Sequence, residues 1–404
     1  MPIHTFQGAS VFLPDEIAET TVTVADGYIA EIGGPVQGDV IDARGLILAP
    51  ALIDVHGDAF ERQVMPRTGV FFPMDTAMLE TDRQLAANGI ATTYHSLTLS
   101  YEPGLRSVER GRELIQTLAD LGPRLTVENR LQLRWETFAD EALETLDWVM
   151  DGPLTPSLAF NDHLSMAMRS GDTRVQDRAF EHAPDFALMR PDDDELVERR
   201  HGKRVERSGL GFQEYKALIE RVWQRRADVP TRIAEVAAKA RAKGVPMLSH
   251  DDTQPETRRF YRDVGATVAE FPMTMPPTQD ARDAGDMIIF GAPNAVRGSS
   301  HIGSLSAADM VEQGFCDALA SDYYYPAMLA AVHRLDREKR ADRLSLWSLV
   351  SGGPAKAMKL DDRGAVAVGK RADLVLLEWP DTATPAVRGT WVKGRAAYRA
   401  QPFG

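Results

Sequence analysis

Cysteine is almost absent from this 404-residue chain: Cys316 stands alone. No disulfide can form within the chain, and such usage fits a reducing, cytoplasmic setting. The bland role for Cys316 is a small buried apolar residue. There is also no run of about 18 apolar residues, the length that a membrane helix needs, so no membrane partner is expected. The opening Met1-Pro2-Ile3-His4 lacks a basic segment followed by an apolar stretch, and no secretory leader is expected. Positive charge is in deficit, with 46 Lys and Arg against 59 Asp and Glu and a formal net charge of −13. Such a field repels nucleic acid and acidic membranes, so an anionic small molecule has to be held by local cationic groups or metal ions. No repeat of fixed period points to a solenoid. A homo-oligomer is compatible with this composition, but no pattern specifies the number of chains.

What is present is two kinds of patterning. Short alternating runs at 9–13, 21–25 and 28–32 predict strands, and Asp26-Gly27 between the last two is a strong hairpin signal. Runs at 372–377 and 389–398 behave likewise. Neither end has enough apolar surface for its own core, so residues 1–50 and 355–404 are expected to meet in one small β domain. Between them, over 51–354, eight apolar runs alternate with stretches of helical spacing such as 107–121 and 231–243. The runs lie at 52–56, 90–95, 131–136, 157–163, 246–251, 267–271, 287–290 and 317–322. This is the pattern of an α/β fold, a (β/α)8 TIM-like barrel whose chemistry lies at the C-terminal ends of its strands. The highly charged stretch 164–230 is too long for a structureless loop and predicts a helical excursion over the barrel mouth.

Six residues fall at or just beyond those strand ends: His56, Asp58, Glu136, His163, His250 and Asp322. Buried without partners, three imidazoles and three carboxylates would be costly. Together they suit two divalent metal ions, zinc or manganese, which take imidazole nitrogen and carboxylate oxygen. His56 and Asp58 are two residues apart and so share one face of an extended strand, where they can bind one ion. Glu136 has two oxygens with which to bridge a pair, and His163 and His250 complete the second ion's shell. Asp322 ends the last strand, where a carboxylate can bind a metal weakly and take a proton from water as general base. A single strand-end histidine is usually structural and a single aspartate often caps a helix; their recurrence around one predicted barrel is what singles out a metal-dependent hydrolase. In the excursion, Lys203 and Arg204 are placed to reach down to an anionic substrate.

These residues resemble the amidohydrolase superfamily. Ala49 to His56 looks like its entry into the barrel, and Val368 to Val375 like its return to the small β domain. The order His-x-Asp, Glu, His, His, Asp is similar to the dipeptidase-like subset; the commoner subset has His-x-His and a carboxylated lysine. A closer resemblance runs through Leu248 to Asp252, Ala269 to Pro272, Gly291 to His301 and Ser321 to Tyr324. These blocks look like the diphosphatases of the carbon–phosphorus lyase pathway that act on a ribose 1-phosphonate 5-triphosphate. The resemblance implies cleavage of the triphosphate chain with release of pyrophosphate. Arg297 and His301, in the block after the seventh strand, are then candidates to hold phosphate oxygens, with Lys203 and His95 as further substrate-binding candidates. Ala59, His95 and the run Tyr323-Tyr324-Tyr325 depart from that pattern near the predicted mouth. The ligand order alone equally fits a binuclear amide or peptide-bond hydrolase, and a non-catalytic metal-binding barrel is the third alternative.

Overall fold

In the computed structural model the described residues are 3–168, 194–298, 305–380 and 382–400. The chain begins with β1 (His4–Phe12), β2 (Ile17–Ala25), β3 (Tyr28–Ile32), β4 (Asp39–Asp42) and β5 (Ile47–Pro50). Between β2 and β3, Asp26 and Gly27 both have positive φ, 52° and 88°. That is the turn that matches the right-handed twist of a tight hairpin, and Ala25 pairs with Tyr28 across it.

Eight parallel strands follow: β6 (Leu52–Gly57), β7 (Ile90–Leu99), β8 (Glu128–Glu136), β9 (Ser157–Asn161), β10 (Met247–His250), β11 (Val268–Glu270), β12 (Met287–Gly291) and β13 (Ala318–Ala320). Each pairs with its neighbour in sequence. The first and last meet through the backbone: Asp322 donates its N–H to His56 at 2.8 Å, and its carbonyl accepts from Asp58 at 3.0 Å. The result is the expected TIM-like barrel. The chain then forms β14 (Leu374–Glu378), β15 (Ala386–Val392) and β16 (Arg395–Arg399), which join the first strands in a separate, mainly antiparallel sheet of order β16-β15-β14-β5-β1-β2-β3. Pairing of Pro50 with Leu374 brings the two ends together one step before the chain enters the barrel.

The helices cover the barrel through their apolar faces. Val108–Leu121 starts where the Ser107 hydroxyl accepts the Arg110 N–H, and it buries Leu114, Ile115, Leu118 and Leu121 at helical spacing. Its core also holds Leu97, Leu99, Leu133 and Trp135, which point outward from β7 and β8. Truncating Leu114 there would cost about 2–5 kcal/mol through lost transfer energy and a cavity.

Inside the barrel, strand periodicity builds the site in layers. Ile53, Val55, Tyr94, Leu248, Val268 and Ile289 share an apolar interior cluster. Two residues further along two of these strands, on the same inward face, stand His250 and Glu270. The apolar layer fixes the strands, and the polar one is presented at the mouth.

Within 164–230, the helices Asp194–Ser208 and Phe212–Trp223 pack beside that mouth, while 169–193 lies outside the described residues. Glu102, beyond β7, anchors both: it accepts from Arg207 Nη2 and from the Tyr215 hydroxyl, each at 2.6 Å.

Candidate metal centre

Three strand ends share an uncommon backbone. Asp251, Phe271 and Asp322 follow β10, β11 and β13 with φ of 59°, 55° and 54°. Left-handed conformations cost a non-glycine residue about 1–2 kcal/mol, and such strain concentrates where geometry serves a site.

Atoms that could ligate a metal ion converge here in three overlapping groups, each within 4.8 Å: His56, His250 and Glu270; His163, His250 and Asp251; and His56, Asp58 and Asp322. His56 and His250 are each shared by two groups, which makes one continuous cluster. His56 Nδ1 lies 2.9 Å from Glu270 Oε1, and His250 Nδ1 lies 3.3 Å from Asp251 Oδ2. The approach of His56 Nδ1 to Glu270 Oε1 lacks hydrogen-bond alignment, and Glu270 Oε2 is buried without a hydrogen bond among the described residues. Buried polar atoms of that kind need a partner, and a lone pair of each type is what a divalent cation takes. The donor set therefore fits metal ions.

The surroundings orient this set. Ser96 Oγ donates to Gln132 Oε1 at 2.7 Å, and Gln132 Nε2 donates to Glu270 Oε1 at 2.6 Å. Asp54 accepts from the Ser321 N–H and hydroxyl and from the His56 N–H, tying the first strand to the last beneath Asp322. Glu136 accepts from His163 Nδ1 at 2.5 Å, leaving His163 Nε2 3.6 Å from Asp251 Oδ2. This is the arrangement by which a carboxylate orients a ligating imidazole.

Protonation follows from crowding. Burial, with the charge of Asp58 next, pushes Asp322 up to about 8. Burial, followed by the positive charge of Arg134, holds His56 well below its ordinary value, so the ring is neutral as a metal ligand must be. Burial opposes ionisation of Glu136, yet the charge and hydrogen bond of His163 win and bring it down to about 2.

The amidohydrolase family model matches residues 192–398. The chain belongs to the amidohydrolase family. Amidohydrolase-superfamily hydrolases usually employ divalent ions, and the groups above are where this one has candidate ligands. The α-D-ribose 1-methylphosphonate 5-triphosphate diphosphatase of Escherichia coli (strain K12) is 27% identical over 393 residues, covering 96% of this chain and 98% of that protein. Among solved structures, an adenosine deaminase from Xanthomonas campestris with bound zinc superposes with a TM-score of 0.61 at 12% identity, covering 97% of this chain and 92% of the other. A β-aspartyl dipeptidase from Fervidobacterium islandicum AW-1 in complex with a dipeptide gives 0.59 at 14%, covering all of both chains. At these identities the two likenesses speak for the shared amidohydrolase fold alone.

Of the residues expected from sequence, this amidohydrolase brings together His56, Asp58, His163, His250 and Asp322. Glu136 sits beside His163 and outside the three groups, which differs from the bridging position expected. His95 is placed differently from a strand end: β7 runs on to Leu99, so His95 is mid-strand, fully buried, bonded to Asn129 at 2.6 Å and packed edge-on against Phe60. Its odd position on the strand turns it outward, away from the mouth. Lys203 is exposed, whereas Arg204 next to it reaches the His163 carbonyl at 3.3 Å; the helix phase chooses between them. Arg297 ends the short helix Ala292–Arg297 and is exposed, and His301 lies outside the described residues. Ala59 and Tyr325 are both buried, the tyrosine ring 3.1 Å from where a Cβ on Gly57 would stand.

Sequence reasoning passed over Glu270, Asp251 and Arg134. Glu270 carried the same strand-end signal as its partners. Arg134 was marked by alternation, because Gln132, Arg134 and Glu136 share one face of β8.

Proposed function

We propose that this amidohydrolase hydrolyses the triphosphate chain of a ribose 1-phosphonate 5-triphosphate, releasing pyrophosphate and leaving one phosphate on the 5-oxygen. The observation that carries the reading is the set of arginines around the ligand groups. Arg134 Nη1 is 3.4 Å and Arg106 Nη2 3.7 Å from Asp58 Oδ2, and Arg204 Nη1 is 3.3 Å from the His163 carbonyl. Convergent guanidinium groups beside a metal centre match a polyanion and have little use on a neutral amide. The diphosphatase similar over nearly the whole chain supports the same substrate class.

His56, Asp58, His163, His250, Glu270, Asp251 and Asp322 are the residues that would hold two divalent ions, zinc or manganese, at this centre. When bound, such ions neutralise phosphoryl oxygens and lower the pKa of water towards neutrality. Water adds to phosphorus as the anhydride bond to the departing pyrophosphate breaks. Asp322 takes the proton of that water, and the arginines hold the charge that accumulates on the leaving group.

Pyrophosphate release from the ribose phosphonate triphosphate, measured beside hydrolysis of a dipeptide panel by the same metal-loaded preparation, tests the reading. Stoichiometric pyrophosphate with no dipeptide cleavage is expected. Efficient dipeptide cleavage without pyrophosphate would move the protein to the amide hydrolases.

A further inference from the structure

We infer that Arg134 is a metal-dependent anion receptor: without metal its guanidinium rests on Asp58 and His250, and divalent ions taking those ligands turn it over to a phosphoryl oxygen. This rests on the phosphoryl reading above and adds the residue that would give it specificity.

Arg134 is only 5% exposed, and β8 directs it into the barrel between Gln132 and Glu136. An arginine stays charged at any accessible pH, so its burial demands close counter-charges. Its contacts are loose: Nη1 is 3.4 Å from Asp58 Oδ2, Nη2 is 3.4 Å from His250 Nε2, and Nε has no hydrogen-bond partner among the described residues. Charge-assisted pairs normally close to about 2.7–2.9 Å. Arg363, also buried, achieves this, with Nη1 2.7 Å from Glu128 Oε2. Arg134 is thus buried without being tightly held.

Both of its contacts are atoms that a metal ion would claim. Of the other nearby carboxylates, Glu136 is engaged with His163, Asp251 with the two histidines and Glu270 Oε1 with Gln132, while the second oxygen of Glu270 and the Asp322 carboxylate are candidate ligands that the ions would take. With the centre loaded, Arg134 faces added positive charge and lacks a free carboxylate. A planar fork in that position fits two oxygens of one tetrahedral anion. Because the ions and the anion relieve the same charge imbalance, their binding is coupled, and the coupling is reciprocal.

The test is titration calorimetry of inorganic phosphate into dialysed protein, metal-loaded and metal-free, with acetate as the carboxylate comparison. Loaded wild type is expected to bind phosphate at least about tenfold more tightly than the metal-free form, and more tightly than it binds acetate. Arg134→Met should keep its metal content and lose about 10- to 100-fold in phosphate affinity, as for a hydrogen bond to a charged group. Arg134→Lys, which keeps the charge without the fork, should fall between and stands in if the methionine variant does not fold. Equal phosphate affinity in the variants and wild type, or in loaded and metal-free protein, overturns the inference. If pyrophosphate is still released from the triphosphate in that case, the proposed reaction survives. Preference for acetate assigns Arg134 to a carboxylate substrate and overturns both.

Discussion

Asp322 donates its backbone N–H to the carbonyl of His56 at 2.8 Å, so the last strand's carboxylate and the first strand's imidazole are held by the bond that closes the barrel. Residues 266 positions apart thereby share one ligand group. Replacing Asp322 by Asn keeps that backbone link and much of the shape. Turnover should fall by about two to four orders of magnitude, the range of a general base, while metal content stays near that of wild type. Near-normal turnover in Asp322→Asn, measured on the same loaded protein, would remove it from that role.

Metal binding should release protons near neutral pH. Without metal, burial and the charge of Asp58 raise Asp322 to about 8, so at pH 7 it is mostly protonated and a cation must displace the proton. Apparent affinity should climb as pH approaches 8 and level off above it for this group. Calorimetry in buffers of different ionisation enthalpy counts the released protons. Asp322→Asn should release fewer, and an unchanged count would reassign the titrating group.

Gln132 is expected to act through Glu270, to which it donates a hydrogen bond. Gln132→Leu removes the donor to Glu270 and leaves Ser96 without its acceptor, both in the buried interior. Metal affinity should drop about 10- to 100-fold, the usual effect of removing a group that orients a ligand. Competition with a chelator measures it, and an affinity equal to wild type would show that Glu270 needs no support.

At the opposite end of β8, Glu128 accepts from Arg363 at 2.7 Å and also from Arg371, joining the barrel to the chain's return into the second sheet. Burial opposes its ionisation, but Arg371 and Arg363 bring it down to about 2. Its folded value is below the unfolded one, so its contribution is complete above about pH 4.5 and is lost as pH falls towards 2. Glu128→Gln should cost about 1–3 kcal/mol near neutral pH, with the deficit shrinking in acid. Denaturant melts across that range check the sign.

All eight barrel strands were legible because fully buried parallel strands read as apolar runs between helical segments. Strand lengths were harder to see. The extension of β7 to Leu99 moved His95 from a strand end to mid-strand, and one step of parity sent it outward. Histidines at strand ends were conspicuous, and they led to five residues of the candidate ligand cluster. Glu270 carried the same strand-end signal, but the apolar run extends one residue too far, to Phe271, which places Glu270 inside the expected strand rather than at its end. Asp251 needed a left-handed backbone to turn towards His163, which no spacing rule encodes. That Arg204 rather than Lys203 reaches the His163 carbonyl depends on the phase of the helix Asp194–Ser208 against the barrel.

The central claim, that strand-end side chains of one barrel assemble a centre for two divalent ions, is tested most directly by elemental analysis after dialysis. Wild type should retain two ions per chain after supplementation with zinc or manganese. His250→Ala, which removes a ligand shared by two groups, should retain one or fewer. A wild-type stoichiometry well below two that supplementation does not raise, or a His250→Ala content equal to wild type, would contradict it.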